Sequence, residues 1–233
     1  MRSPTSLTTE TVPSIYQPVP GAFSRTRRFA SLRKTRAYGH FRKAKLALWY
    51  RIQDVLIFFD IEQRLVTEDR RIFETIVLPS LRDEPSYKHV LFIGSHWYTR
   101  WYRAFFNEDT YWTLDINPQR KRFGARKHIV DSMENIERHF AADSLDLIIC
   151  NGVFGWGLNE KAAVERAFHA CHCCLRQGGL FVLGWHDLPD RRPFPPGETK
   201  SLKLFRPAIL EPVGAPRIVA NDEYRYVCDF FVK

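Results

Sequence analysis

Hydrophobic and polar positions follow two different periods along this chain. Between residues 44 and 65, apolar residues such as Leu48 and Ile52 recur at spacings of three and four, which predicts an amphipathic helix. A second helix is expected to begin near Thr67 and to end at Pro79. Beyond it, short apolar runs alternate with helical patterns. The pattern therefore predicts an N-terminal helical segment followed by a region of mixed strands and helices.

The apolar runs of the second region have the length and composition of β-strands. The predicted strands cover residues 89–93, 111–116, 127–130, 145–150, 180–185 and 224–232. The predicted helices between them cover residues 98–106, 134–140 and 159–175, and the last is expected to end at Gly178-Gly179. Strands that alternate with helices at this spacing are typical of a parallel sheet. We therefore predict an α/β fold with a doubly wound, mostly parallel sheet, a late antiparallel strand and an N-terminal helical extension.

Charge divides the chain differently from hydrophobicity. The net charge of the whole chain is +9. Residues 1–53 hold 11 Lys and Arg residues and one acidic residue, so this segment alone has a net charge of +10. The other 180 residues hold 24 basic and 25 acidic residues, which gives a net charge of −1. Residues 1–22 are rich in Pro, Ser and Thr, which is typical of disorder. We therefore divide the chain into a basic arm (1–43), a helical segment (44–84) and an α/β domain (85–233).

Several roles are open for the basic residues between 25 and 51. They could contact the phosphates of a nucleic acid, lie on an anionic membrane surface, belong to an organellar targeting segment, or form a solvated tail. No apolar run approaches the ~18 residues of a membrane-spanning helix. The odd number of cysteines, five, is a poor disulfide framework. We expect a cytoplasmic protein, with peripheral membrane association as the alternative; the oligomeric state is left open.

Small and acidic residues follow the first two predicted strands. Gly94 and Ser95 come directly after the first, where a residue without a Cβ lets the backbone approach a ligand. Asp115 and Ile116 end the second, about 20 residues on. An acid at this distance accepts hydrogen bonds from ribose hydroxyls in dinucleotide-binding folds. The spacing therefore predicts a nucleoside site at the carboxyl ends of these strands.

The third and fourth predicted strands also end in polar residues. Asp131 and Ser132 follow the third, where a carboxylate could accept the amino hydrogens of an adenine. Asn151 follows the fourth and is expected to face the same cleft, because the carboxyl ends of parallel strands meet at one edge of a sheet. Four strand ends therefore predict one binding cleft.

The run Leu175-Arg176-Gln177-Gly178-Gly179-Leu180 resembles the Leu-Arg-Pro-Gly-Gly turn before the fifth strand of class I S-adenosylmethionine (SAM) dependent methyltransferases. Together with the acids after strands two and three, the resemblance covers residues 87–186. It implies a seven-stranded-type Rossmann-like sheet, SAM as cofactor, and methyl transfer to oxygen or nitrogen of a small or medium-sized acceptor. The first glycine motif of the family departs here: Phe92 replaces its acid, and His96 and Tyr98 replace two of its three glycines.

Two histidines are candidates for the general base of such a reaction. His186 follows the fifth strand and His96 lies in the first loop, although each also fits an ordinary loop histidine. Phe154 and Trp156 lie where an acceptor would approach and are candidates for its pocket; the alternative is that they cover the edge of the sheet. These four residues are the predicted catalytic and acceptor-binding groups.

Two further hypotheses remain from the sequence. His169 and Cys173 lie one helical turn apart, but no second Cys/His pair at metal spacing accompanies them, so no metal site is predicted. The alternative to an enzyme is a non-catalytic binding module that retains the fold and uses its basic arm for a membrane surface, nucleic acid or protein partner.

Overall fold

The computed structural model describes residues 36–220 and 223–233, with side chains described from residue 40 onward. The predicted disordered stretch and the first part of the basic arm lie outside the described residues. The predictions that concern them stay predictions.

One mixed sheet forms the centre of the described chain. Its strands are β1 (Val90–Ile93), β2 (Tyr111–Asp115), β3 (Lys127–Val130), β4 (Leu145–Asn151), β5 (Leu175–His186), β6 (Arg206–Pro207), β7 (Arg217–Val219) and β8 (Tyr226–Val232). They lie in the order β3-β2-β1-β4-β5-β8-β6, and β7 pairs with β8 off this path. Strands β1 to β5 are parallel, and β8 runs antiparallel to β5. The predicted doubly wound, mostly parallel sheet with a late antiparallel strand is confirmed.

Both faces of the sheet are covered, which explains the continuous apolar runs of its central strands. All residues of β1 and of β4 are buried. On one face the helix α4 (Lys161–Cys174) packs Phe168 against Phe181 of β5. On the other face, Phe73 and Leu78 from the N-terminal helices pack beneath β1 and β4. The switch in strand order between β1 and β4 leaves a crevice at their carboxyl ends.

The N-terminal helices differ from the sequence prediction in their bounds. They are α1 (Arg36–Phe58), α2 (Glu68–Ile72), a π-helical turn (Phe73–Val77) and α3 (Leu78–Asp83). Pro79 does not end the second helix as predicted. It lies inside a helical run that is continuous from Glu68 to Asp83, because Val77 and Leu78 before it are also helical. The π-helical turn, in which the Leu78 N–H donates to the Phe73 carbonyl oxygen, directly precedes this position without an N–H.

Helix α1 exposes the apolar stripe that the sequence predicts. Leu48, Ile52 and Val55 are each about half exposed or more, whereas Gln53 is buried and exchanges amide hydrogen bonds with Gln63. None of the helices in residues 36–220 and 223–233 has the length and hydropathy required to cross a bilayer.

Short 3₁₀ helices replace two of the predicted α-helices. They cover Trp97–Phe105 and Met133–Arg138. The predicted helix end at Gly178-Gly179 is also wrong, because α4 ends at Cys174 and β5 begins at Leu175. Gly178 has a φ of +73°, and a Cβ on Gly179 would lie 3.0 Å from the Asp146 carbonyl oxygen. The two glycines therefore allow an irregular start of β5 beside β4.

Candidate functional site

A cleft of about 210 Å³ opens at the carboxyl ends of β1 to β4. Its walls include five of the seven predicted cofactor-binding residues, which are Gly94, Asp115, Ile116, Asp131 and Ser132. Three separate strand ends contribute to this set, as the parallel topology requires. The cleft also receives Met133 from the 3₁₀ helix after β3 and Trp156 from the loop after β4.

Gly94 holds three strand ends in close approach. Its φ is +102°, and a Cβ at this position would lie 2.4 Å from the carbonyl oxygen of Asn151. Its N–H donates to the carbonyl oxygen of Leu114 at 3.0 Å. Any side chain here would both strain the backbone and push the end of β4 away. The position therefore requires glycine, and its bare backbone forms part of the cleft wall.

Asp115 is the buried carboxylate of the cleft, with 6% of its surface exposed. Its Oδ1 accepts the backbone N–H of Asn117 at 2.9 Å. Its Oδ2 accepts from Nη1 of Arg120 at 3.2 Å, and the same Nη1 donates to the carbonyl oxygen of Ser95 at 3.2 Å. Arg120 therefore spans the ends of β1 and β2 and lies at the cleft wall. Arg120 was not among the predicted cofactor-binding residues, although it follows the strand-ending acid by only five positions in the sequence.

Asp131 is held in its charged form by its neighbours. Its Oδ1 accepts from the Asn135 side chain at 2.8 Å and from the Ser132 N–H at 2.7 Å, and His139 Nε2 lies 2.8 Å from Oδ2. These hydrogen bonds, with that from Asn135 first, lower the pKa of Asp131 to about 2. A carboxylate that accepts hydrogen bonds is therefore present at the cleft at neutral pH.

Ser95 and Asn151 lie behind the cleft wall and do not line it. Both are buried, and the Asn151 Oδ1 accepts from the hydroxyl of Tyr226 on β8 at 3.1 Å. The Ser95 Oγ and the Asn151 Nδ2 have no hydrogen-bond partner among the described residues. Buried polar groups without a partner are costly, so these two atoms are candidates for contact with a bound molecule.

The two candidate bases differ in the nitrogen that carries the proton. His96 caps the 3₁₀ helix after β1, and its Nδ1 accepts the Trp97 N–H at 3.0 Å, so Nε2 carries the proton of the neutral ring. Burial, and then the charge of Arg120, lowers the pKa of His96 to about 3. Its ring stacks on Tyr98 and does not line the cleft. This geometry makes His96 a structural cap and a poor proton acceptor.

His186 has the opposite tautomer. Its Nδ1 lies 3.0 Å from the carbonyl oxygen of Tyr224, which can only accept a hydrogen bond, so Nδ1 carries the proton and Nε2 is the acceptor nitrogen. The ring ends β5 and lies edge-on to Trp156, with ring centroids 5.9 Å apart. His186 is buried and, like His96, does not line the cleft, but its ring contacts Trp156, which does.

The two candidate aromatic residues of the acceptor pocket separate in the structure. Trp156 is 52% exposed, lines the cleft and carries the guanidinium of Arg191 4.0 Å above its ring. Phe154 is 1% exposed and packs against Phe168 and Trp185 in the core. The expectation for Phe154 is therefore corrected: the loop turns it inward, where its ring fills space between α4 and β5.

The comparisons agree with this geometry. Residues 93–183 match a family model described as a methyltransferase domain. Two structures of the N-methyltransferase NodS from Bradyrhizobium japonicum WM9 are similar in fold. The one in complex with S-adenosyl-L-homocysteine (SAH) has a TM-score of 0.52 at 16% identity and covers 71% of this chain and 87% of its own. The other has a TM-score of 0.54 at 15% identity, with 71% and 96% covered. No curated protein matches this chain.

Proposed function

We propose that this chain is a class I SAM-dependent methyltransferase that transfers a methyl group to a nitrogen or oxygen atom of a small or medium-sized acceptor; the methyltransferase-domain model that matches residues 93–183 supports this proposal. The observation that carries the proposal is the convergence of Gly94, Asp115 and Asp131 on one cleft. NodS, whose structures are similar in fold, is named as an N-methyltransferase. Nitrogen is therefore the first acceptor atom to test.

The residues of the cleft fit a bound SAM. In this proposal the Asp115 carboxylate accepts the ribose hydroxyls, and Ile116 packs against the nucleoside. Asp131, charged at neutral pH, accepts the adenine amino group, with Ser132 beside it. The bare backbone at Gly94 receives the chain of the methionine moiety. Behind this wall lie the Ser95 Oγ and Asn151 Nδ2, which have no hydrogen-bond partner among the described residues and would meet this moiety once the wall opens on binding.

The volume of the cleft points to one local movement on binding. Ligand pockets usually have volumes of roughly 300–1,000 Å³, and this cleft has about 210 Å³. Arg120 both lines the cleft and occupies one oxygen of Asp115. Its side chain is about one-third exposed, so it can turn toward solvent at small cost. We propose that this rotation opens the ribose site.

When bound, SAM supplies an electrophilic methyl group on its sulfonium. The work of the chain is then to orient the acceptor and to remove its proton. Trp156 offers a partly exposed ring on which a planar or sugar acceptor can stack. The Nε2 of His186 accepts the proton of the acceptor, while the bond from Nδ1 to the Tyr224 carbonyl fixes the tautomer.

Calorimetric titration of the full chain with SAH tests the cofactor site, and a methylation assay with labelled SAM against a panel of small amines and hydroxy compounds tests the reaction. We expect SAH to bind and at least one amine to be methylated. Absence of SAH binding would overturn the proposal. His186→Gln is expected to lower kcat by roughly 10²–10⁴-fold without changing SAH affinity, whereas His96→Gln should leave kcat within a few fold.

A further inference from the structure

Three side chains of types that bind metals form a cluster on the surface, and none of the three lines the cleft. The cluster consists of Glu137 from the 3₁₀ helix after β3 and of His169 and Cys173 from α4. One ligand atom from each, a carboxylate oxygen, an imidazole nitrogen and a thiol sulfur, lies within 4.8 Å of the other two. Sequence spacing brings only His169 and Cys173 together. Packing of the 3₁₀ helix against α4 adds the third group.

One distance within the cluster matches that of a zinc site. The Cys173 Sγ lies 3.6 Å from Nδ1 of His169. In a tetrahedral site with Zn–S near 2.3 Å and Zn–N near 2.0 Å, sulfur and nitrogen lie roughly 3.5 Å apart. The sulfur–imidazole edge is therefore already at coordination distance, and a rotation of the exposed Glu137 side chain completes three ligands.

The donor set selects the metal. A thiolate together with an imidazole favours Zn²⁺ over Mg²⁺ or Ca²⁺, which prefer oxygen ligands alone. We propose that Glu137, His169 and Cys173 bind one Zn²⁺ ion, with water as the fourth ligand. On binding, the thiol of Cys173 releases its proton to solvent and no electron is transferred.

The position of the site indicates a structural role. The 3₁₀ helix supplies Met133 and Glu134 to the cleft, and α4 supplies Ala163. The chain already links these two elements through an ion pair between Glu134 and Arg166 at 2.6 Å. Zinc would add a second link one turn away and would hold two walls of the cleft together. The inference does not depend on the proposed cofactor site.

The test uses the purified full chain, freed of metal, and titration with Co²⁺ as a spectroscopic probe for Zn²⁺. We expect one equivalent to bind with a thiolate-to-cobalt charge-transfer band, Zn²⁺ to displace it, and Zn²⁺ to raise the melting temperature. Cys173→Ser is expected to abolish the band, and His169→Gln or Glu137→Gln to weaken Zn²⁺ binding on the order of 100-fold.

A neighbouring histidine provides the control. His172 lies on the same helix, but its ring packs edge-on against Phe205 instead of joining the cluster. His172→Gln should therefore retain the band and the affinity. Because Glu137 and His169 are exposed, their variants should remain folded, which circular dichroism checks. A charge-transfer band that survives Cys173→Ser, an equal loss in His172→Gln, or no saturable binding to the wild-type chain would each overturn the proposal.

Discussion

Replacing Asp115 by asparagine tests the ribose site with the smallest structural change. The amide oxygen of asparagine can still accept the Asn117 N–H that Oδ1 accepts now. The charge opposite Arg120 disappears, but this arginine is about one-third exposed and can hydrate. The amide nitrogen that replaces Oδ2 faces this arginine, donor against donor, in a buried position, so we expect a stability cost of about 1–3 kcal/mol.

Asp115→Asn should also weaken cofactor binding. A carboxylate offers two acceptor oxygens to a ribose diol, whereas an amide offers one. The loss of one hydrogen bond to a charged group costs about 1.5–3 kcal/mol, which corresponds to a weakening of SAH binding by roughly 10- to 150-fold. Calorimetric titration at constant salt measures this difference directly.

Asp109 provides a matched control for this measurement. It also pairs with an arginine, Arg126, but lies before the amino end of β2 and is exposed. Asp109→Asn should leave the affinity for SAH unchanged. If Asp115→Asn bound SAH within twofold of the wild-type chain, or if Asp109→Asn lost as much affinity, the assignment of the ribose site would be refuted.

Four further variants test the cleft, the buried charges and the core. Arg120→Met removes the guanidinium that competes for the ribose carboxylate and should tighten SAH binding about two- to fivefold by calorimetry; weaker binding would contradict the proposed rotation. Burial raises the pKa of Glu74 from 4.5 to about 7, so the folded state keeps a proton that the unfolded state loses, and the free energy of unfolding falls as pH rises from 4.5 to 7. Glu74→Gln should remove this fall in urea titrations across that range. Burial lowers the pKa of His96 from 6.5 to about 3, so the unfolded state binds the extra proton, and the free energy of unfolding falls as pH drops from 6.5 to 3. His96→Asn keeps a cap for the Trp97 N–H and should reduce that loss; an unchanged pH profile would contradict a buried neutral ring. Phe168→Ala, which empties a fully buried position between Phe154 and Phe181, should cost about 3–5 kcal/mol in urea unfolding, and a cost below 1 kcal/mol would contradict the packing.

The sequence by itself determined the sheet and the residues at its carboxyl edge. The run that forms β4 is apolar throughout because both of its faces are covered, and a strand of that kind is readable without coordinates. Gly94 follows another apolar run, Asp115 ends β2 and Asp131 follows β3, and parallel strands bring such positions to one edge. Their convergence on one cleft follows from local pattern and general topology alone.

Only the tertiary structure decided which way individual side chains turn. Phe154 and Trp156 stand two residues apart in one loop, yet one lies in the core and the other lines the cleft. The tautomers of the two histidines depend on their contacts: the Nδ1 of His96 accepts a backbone N–H, whereas the Nδ1 of His186 donates to a backbone carbonyl oxygen. The sequence does not predict either contact.

The same limit applies to contacts between distant residues. Arg120 reaches the Ser95 carbonyl as well as the nearby acid, and Glu137 reaches a helix that begins 24 positions later in the chain. Periodicity reports the burial of one element at a time, because hydrophobic burial depends on area and has no direction. Ion pairs and coordination require atoms at fixed distances, and only the packing of elements against one another sets those distances.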